Sequence, residues 1–198
     1  MEELDDTTLM LRYRDGEVRA FECLYQRHKT MLYRYLQRMC KHPETANDVF
    51  QEVWGKIIFQ RDHYEVRAQF KTFLYTVARN AALDAMRRNA AAHINDWSDI
   101  DNHASQLVDG QQQPDAQVAS QQLRDDVQQE LEKLPAVQRE VFMLFEEAEL
   151  NLHDIATITG VTMETAKSRL RYAVTKLRSA LRQHQPGLQH QVQSGAAS

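Results

Sequence analysis

Basic and hydrogen-bonding side chains are concentrated in one short stretch, residues 162–182. It carries six basic residues against a single acid, Glu164, while apolar residues recur at helical spacing along its other side. The basic residues are Lys167, Arg169, Arg171, Lys176, Arg178 and Arg182. A helix with such a face attracts phosphate groups. Its early side chains can reach base edges in a major groove, and these are Met163, Glu164, Thr165, Ser168, Arg169 and Tyr172.

A short helical pattern at residues 152–159 precedes this basic helix. Gly160 follows it and suits a turn that needs a left-handed backbone, while Thr162 can cap the second helix. Ala156 leaves room for the two helices to pack closely. A basic helix alone is often a solvated face of a helical bundle. The turn and the preceding helix favour a helix-turn-helix that binds DNA.

Cationic and aromatic side chains also occur together between residues 61 and 89. The stretch 61–68 breaks the helical periodicity and holds His63, Tyr64 and Arg67, which could capture an unstacked base or form a simple connection. The next predicted helix, 69–89, places polar side chains outward or sideways. These are Lys71, Thr72, Tyr75, Arg79, Asn80, Arg87 and Arg88. Such a mixture suits single-stranded DNA, which needs both phosphate attraction and base stacking.

Catalytic and metal-binding motifs are missing from the sequence. It shows no nucleophile paired with a general base, no phosphate-binding loop and no metal-ligand spacing. We therefore expect a protein that is not an enzyme, with no catalytic residue, metal ion, cofactor or small-molecule substrate. Cys23 and Cys40 lack the paired spacing of a zinc site and are predicted to be free core thiols in a reducing compartment. No signal-peptide pattern and no apolar run of about 18 residues occur, which predicts a cytoplasmic protein without membrane insertion.

Helical periodicity extends over most of the 198 residues, and only 6 Gly and 4 Pro interrupt it, which predicts an all-α fold. A short helix at 7–13 is followed by an Asp-Gly break and a longer helix at 18–41. Val18 begins the predicted core-facing stripe of that helix. His28 lies on the same stripe, where we expect a satisfied, half-buried side chain and not a metal ligand.

A third helix, predicted at 43–60, begins at a proline and has two contrasting faces. The predicted inner face consists of Ala46, Val49, Phe50, Val53, Trp54, Ile57 and Ile58. The outer face carries Asp48, Gln51, Glu52 and Lys56. Such a face is ordinarily solvated, and binding of a partner is the alternative.

An acidic stretch separates two helical parts of the chain. Residues 96–132 contain nine acids against Arg124, although the net charge of the whole chain is only −4. The part before about residue 120 has too few apolar residues to offset the entropy of ordering. We predict two small helical domains, 1–92 and 120–183, joined by a flexible acidic linker, 93–119, and followed by a disordered tail, 184–198. The linker could avoid DNA, mimic nucleic acid in a basic channel, or only increase solubility.

Four motifs, taken together, resemble those of a known family in order and spacing. They are ANDVFQEVW (46–54), FKTFLYTVARNAALDAMRR (70–88), LPAVQREVF (134–142) and DIATITGVTMETAKSRLRYAVTKLR (154–178). The family is the bacterial RNA polymerase sigma factors of the extracytoplasmic-function group, within the sigma-70 family. The resemblance implies a region 2 helical bundle and a region 4 helix-turn-helix. It covers nearly the whole chain apart from the linker and the tail.

The resemblance also implies roles for particular residues. Contacts with the polymerase fall on Asp48, Gln51 and Glu52. Recognition and melting of the −10 promoter element fall on His63, Tyr64, Arg67, Lys71, Tyr75, Arg79, Asn80, Arg87 and Arg88. Recognition of the −35 element falls on Thr165, Lys167, Ser168, Arg169, Arg171 and Tyr172.

The implied function is that of a promoter-specificity subunit that binds core RNA polymerase and directs transcription initiation at a dedicated set of stress or envelope-type promoters. Promoter DNA and an anti-sigma factor are the other implied partners, and the acidic linker would thread the polymerase channel in which RNA will run. A stand-alone helix-turn-helix regulator, acting as a dimer on a symmetric operator, is the alternative class. A nucleic-acid enzyme is the least favoured class because no catalytic set is visible.

Overall fold

The computed structural model of the chain describes residues 4–40, 42–95, 127 and 129–184. Over these residues the structure is helical and contains no strand, so the predicted all-α fold is confirmed. Most of the predicted linker, the first residues of the predicted second domain and the predicted tail from residue 185 lie outside the described residues.

The first two helices are α1, Asp6–Arg14, and α2, Val18–Met39. They confirm the predicted short helix, break and long helix. The prediction that Val18 faces the core is wrong, because its side chain is 59% exposed. It occupies the first position of α2, and the buried stripe begins two residues later at Ala20.

One carboxylate ties α1 to α2. Oδ1 of Asp6 lies 2.8 Å from Nη1 of Arg27, and Oδ2 lies 2.7 Å from Nε2 of His28. His28 has a hydrogen-bond partner, as predicted, but it is buried and not half-buried. An ionised carboxylate only accepts hydrogen bonds, so Nε2 carries the proton in this contact. Burial by itself would raise the pKa of Asp6, but the hydrogen bonds and charges of His28 and Arg27 outweigh burial and hold that pKa below its ordinary value.

The third helix, α3, is Pro43–Phe59 and begins, as predicted, at a proline. It packs on α2 through a cluster of Phe21, Tyr25, Phe50 and Trp54, whose contacting rings have centroids 5.1–6.4 Å apart. Ile58 was predicted to face inward and does not, because the neighbouring Ile57 fills the core position and successive helical residues point about 100° apart.

Helix α4, Phe70–Asn95, extends beyond its predicted end and takes up the first residues of the predicted linker. A short 3₁₀ turn, Arg61–His63, lies between α3 and α4. Helix α4 packs on α3, and four of its buried residues are alanines, whose small side chains allow neighbouring helices to approach closely. They are Ala78, Ala81, Ala82 and Ala85.

Both cysteines are free thiols, as predicted. Cys40 is buried, and burial raises the pKa of its thiol to about 11. The buried group is therefore a neutral thiol at neutral pH and acts as a small apolar side chain.

The remaining helices are α5, Ala136–Glu146, α6, Leu152–Thr159, and α7, Met163–His184. The described residues form two compact units. One unit comprises the described residues between 4 and 95 together with 143–163. The other comprises residues 127, 129–142 and 164–184. In the first unit α6 packs on α4. In the second unit Leu131, Leu134, Ala173 and Leu177 form an apolar cluster.

Candidate nucleic-acid interface

The segment from Asn151 to His184 runs as a capped helix, a glycine turn and a second helix, the order of elements in a helix-turn-helix. Asn151 caps α6 by accepting a hydrogen bond from the backbone N–H of Asp154 at 3.0 Å. Gly160 ends α6 with φ 68° and ψ 33°, the left-handed conformation that glycine adopts without strain. The N–H of Val161 donates to the carbonyl oxygen of Ala156 at 3.1 Å, and α7 begins two residues later. The predicted short helix, glycine turn and long helix are confirmed.

Helix α7 is amphipathic in the predicted sense. Ala166 and Ala173 are fully buried, whereas the polar side chains predicted to contact DNA are exposed or half-buried. Lys167, Ser168, Arg171 and Tyr172 are exposed, and Thr165 and Arg169 are half-buried. Nζ of Lys176 lies 5.7 Å from the centroid of the Tyr172 ring and adds positive charge at its face. The early part of α7 therefore presents cations and hydrogen-bonding groups together.

The connection between α3 and α4 exposes only part of its predicted set. His63 and Arg67 are exposed, and Nη2 of Arg67 pairs with Oε2 of Glu65 at 2.7 Å. Tyr64 is buried, with its ring centroid 5.3 Å from that of Phe73. Burial raises the pKa of its hydroxyl. In this structure the ring of Tyr64 belongs to the core and not to the exposed surface of the connection.

Tyr75 is the largest departure from the predicted site. Its side chain is 0% exposed and packs edge-on against Tyr35, with ring centroids 5.3 Å apart. Its hydroxyl has no hydrogen-bond partner among the described residues. Burial raises the pKa of this hydroxyl, and the nearby charges of Glu147 and Glu149 raise it further. The predicted outward orientation of Tyr75 is wrong, and so is that of the buried Thr72.

The environment of α4 explains this error. The helix packs against α1, α2, α3 and α6, so its buried surface is wider than the stripe expected of a helix with one buried face. Tyr75 lies beside the expected stripe and is buried within this wider surface. Asn80, Arg87 and Arg88 remain exposed at helical spacing towards the end of the helix. They share that part of the surface with Asp84, whose Oδ1 lies 3.1 Å from Nη1 of Arg87.

Two acids that the sequence analysis did not single out pair with cations of the first unit. Oε1 of Glu147 lies 2.9 Å from Nη2 of Arg38, and Oε2 of Glu149 lies 3.8 Å from Nζ of Lys71. Lys71, predicted to contact DNA, therefore has a partner within the chain. Each pair joins residues that are far apart in sequence, so no local sequence pattern predicts it.

The predicted polymerase-binding residues lie on one side of α3. Asp48 and Gln51 are exposed. Glu52 is half-buried, with Oε1 2.6 Å from Nζ of Lys56 and Oε2 3.5 Å from Nη2 of Arg88. The hydrogen bond from Lys56, helped by the charges of Lys56 and Arg88, holds the pKa of Glu52 below its ordinary value despite the opposing effect of burial. Asp48 and Gln51 are thus more accessible to a partner than Glu52.

In the part of the chain that the structure describes, no group of three or more His, Cys, Asp and Glu residues is arranged to hold a metal ion. None of the described helices is both long enough and apolar enough to cross a membrane.

These features define a class of protein that is helical over its described residues and that combines a helix, glycine turn and helix with a helical bundle bearing cationic and acidic side chains. The Sigma-70 region 2 family matches residues 24–92, and the Sigma-70, region 4 family matches residues 131–179. The chain belongs to the sigma-70 family of RNA polymerase sigma factors, in the extracytoplasmic-function group, and is a promoter-specificity subunit for transcription initiation.

Relatives support this assignment along most of the chain. The RNA polymerase sigma factor CarQ of Myxococcus xanthus is 30% identical over 172 residues, which cover 87% of this chain and 95% of CarQ. The extracytoplasmic-function sigma factor SigW of Bacillus subtilis is 28% identical over 171 residues, which cover 84% of this chain and 91% of SigW.

Two solved structures share the fold at 22% sequence identity. The sigma factor RpoE, in complex with the anti-sigma factor NepR from Bartonella quintana, matches with a TM-score of 0.68, covering 82% of this chain and 96% of RpoE. CnrH, in complex with the cytosolic domain of CnrY, matches with a TM-score of 0.62, covering 89% of this chain and 96% of CnrH.

Proposed function

We propose that this sigma factor divides promoter recognition among three surfaces. The exposed acidic side of α3 binds core RNA polymerase, the α3–α4 connection with α4 captures the melted −10 strand, and α7 reads the −35 element. The observation that carries this proposal is the separation of charge. Asp48 and Gln51 are exposed on α3, whose basic residue Lys56 is paired with Glu52. Exposed cations on α4 and α7, within the matched regions 2 and 4, include Arg87, Arg88, Lys167 and Arg171.

The −10 surface works by attraction to phosphate and by holding an extruded base. Extrusion costs a few kcal/mol, which stacking and polar contacts of about 1–3 kcal/mol per base can offset. The contributing residues are His63, Arg67, Lys71, Arg79, Asn80, Arg87 and Arg88. Lys71 can bind phosphate only in competition with Glu149, because their side chains form an ion pair in this structure.

The buried Tyr75 provides a test of this revised set. Tyr75→Phe keeps the ring and removes a hydroxyl that has no partner among the described residues, so we expect the free energy of unfolding to stay the same or to rise by about 1 kcal/mol. Promoter opening should be unchanged. Urea unfolding and transcription from a matched promoter measure the two properties.

Asn80→Ala is the matched control on the same helix. Because Asn80 is exposed, we expect this variant to keep its stability and to open the promoter less well. If the Tyr75→Phe protein folds normally but opens promoters poorly, the Tyr75 hydroxyl contacts DNA in the open promoter complex.

The −35 surface consists of the exposed and half-buried polar residues early in α7. We propose that Thr165, Lys167, Ser168, Arg169, Arg171 and Tyr172 meet the major groove, where guanidinium groups can donate two hydrogen bonds to guanine. Gly160 ends α6 in a left-handed conformation, so the chain turns there before α7 begins.

Arg169→Ala should weaken recognition of the −35 element by about 2 kcal/mol if the guanidinium contacts a base. The measurement is transcription from promoters with matched and single-base-mismatched upstream elements. Arg178→Ala, which removes an exposed cation later in the same helix, should reduce activity on all these promoters equally. Identical discrimination by Arg169→Ala and the unmodified protein would exclude the base contact.

The remaining proposals follow from the family. We propose domain limits of 1–92 and 120–183 with the linker between them, a cytoplasmic location, and no catalytic chemistry in this subunit. The structural neighbour RpoE was solved with the anti-sigma factor NepR, which supports an anti-sigma factor as a partner of this chain too.

Run-off transcription tests the whole proposal. Purified core RNA polymerase is incubated with a genomic promoter library, with and without this protein. Transcripts from specific promoters that appear only with the protein support the proposal. Tight binding to a symmetric duplex without polymerase, together with no transcripts from an active core enzyme, would instead indicate a stand-alone regulator.

A further inference from the structure

The α3–α4 connection is only lightly attached to the helices around it. Residues 62–69 are all exposed except Tyr64, and the ion pairs within the connection join near neighbours in sequence. Segments with so little burial open readily unless other contacts hold them. The ring of Tyr64 packs on Phe73 of α4. A buried ring alone does not fix the backbone that carries it, so the direction in which the neighbouring His63 points depends on further contacts.

Helix α1 supplies such contacts. Nη1 of Arg14 donates a hydrogen bond to the backbone carbonyl oxygen of Tyr64 at 3.4 Å, and Nε of Arg14 lies 3.1 Å from Oδ1 of Asp15. The guanidinium of Arg61 lies over the buried ring of Tyr13, with Cζ 5.6 Å from the ring centroid. Two consecutive residues at the end of α1 therefore contact the first residue of the 3₁₀ turn and the residue that follows this turn.

Helix α1 is itself attached to the bundle along its length. Asp6 pairs with Arg27 and with the buried His28 of α2, and Leu9 and Met10 are buried in the core. A fixed element that touches a loop at two points restricts the conformations of the loop before any partner binds, so less ordering entropy opposes binding. The match to Sigma-70 region 2 begins at residue 24, so α1 precedes the matched residues.

We propose that Arg14 is a positioning residue for capture of the −10 strand. Its hydrogen bond to Tyr64 holds the α3–α4 connection in the shape that presents His63 and Arg67 to the DNA. This inference rests on the proposed function, because the shape of the connection matters only if the connection takes part in strand capture. Arg14 acts through the connection and does not touch DNA. Its removal should therefore slow promoter opening and leave core binding unchanged.

The test is the rate of promoter opening by holoenzyme reconstituted from core polymerase and the full-length protein. The probe is 2-aminopurine in the non-template strand of the −10 element, whose fluorescence rises as the base unstacks. Arg14→Met keeps most of the side-chain volume, removes the hydrogen-bond donors, and should slow opening about tenfold. Arg14→Lys restores a donor and the charge, and it should open the promoter within about threefold of the unmodified protein.

Arg12→Met is the matched control on the same helix. It removes the same charge, but Arg12 is exposed and pairs with Glu17 at 3.7 Å. This variant should open the promoter within about twofold of the unmodified protein. Both methionine variants should keep their affinity for core polymerase within about twofold and their melting temperature within about 2 °C.

A double-mutant cycle separates positioning from direct contact with DNA. The combined change His63→Ala and Arg67→Ala removes the side chains that Arg14 is proposed to position. Adding Arg14→Met to that protein should therefore slow opening by less than about a further twofold. Losses that add in full would mean that Arg14 meets the DNA itself, and they would overturn the inference.

The remaining outcomes separate this inference from the proposed function. Normal opening by Arg14→Met, with slow opening by the protein that carries both His63→Ala and Arg67→Ala, overturns the inference and leaves the proposed −10 surface in place. Normal opening by the protein with both alanines overturns the inference and the −10 role of the connection together. If Arg14→Met melts far below the unmodified protein or loses its affinity for core polymerase, Arg14 serves the stability of the fold, and the inference is overturned.

Discussion

Replacing Asp48 with lysine will weaken binding to core RNA polymerase about a hundredfold, or roughly 3 kcal/mol. Asp48 is an exposed acid in the acidic half of α3, and among the described residues no ion pair engages it. A lysine there would face the cations that the partner must carry to complement this surface. Like charges brought together at an interface cost several kcal/mol. Anisotropy titrations with core enzyme at two salt concentrations measure the effect, which should shrink at higher salt.

Asp48 is a better position for this test than Glu52. The Glu52 carboxylate is engaged by Lys56 and Arg88, so replacing it with lysine would place three cations together and destabilise the fold. Glu22→Lys provides the control, because Glu22 is an exposed acid on α2 and the change in net charge is the same. Equal losses of binding in the two variants would show that net charge matters and that Asp48 has no particular contact.

The helix-turn-helix and α3 were predictable from sequence because their signals are local. A capping Asn, a short apolar run, a glycine and an amphipathic helix follow one another within residues 151–182 and each depends on near neighbours. Pro43 likewise starts α3 in both the prediction and the structure. For these elements, the local preference and the final fold agree.

The predicted −10 surface was less accurate because burial depends on several helices at once. The sequence shows Tyr75 between basic residues, which favours an exposed position. In the structure α4 has neighbouring helices on several sides. The Tyr75 side chain lies near Tyr35 and near the charges of Glu147 and Glu149. The same limit applies to Ile58, because the periodicity alone did not decide which of two adjacent isoleucines fills the core.

Asp6→Asn will lower the free energy of unfolding by about 3 kcal/mol, because it removes the carboxylate charge that pairs with the buried His28 and with Arg27. Asp6 lies in the first turn of α1, and its ion pairs attach that turn to α2. Helix α1 contributes Leu9, Met10 and Tyr13 to the core. Urea unfolding followed by circular dichroism measures the change. Asp15→Asn is the control: the Asp15–Arg14 pair is exposed, and such pairs contribute at most about 1 kcal/mol.

The pH dependence of this loss identifies the carboxylate as its cause. The pKa of Asp6 in the folded protein lies below its ordinary value of 3.8, so the ionised form is bound more favourably in the folded state than in the unfolded state. Its contribution is fully present above the unfolded-state pKa and is lost as the pH falls through the folded-state pKa. The difference between the unmodified protein and Asp6→Asn should therefore be constant well above pH 3.8 and shrink below it. A difference that persists unchanged into strong acid would mean that asparagine disturbs the packing of α1, and that the charge of Asp6 does not hold α1 on α2.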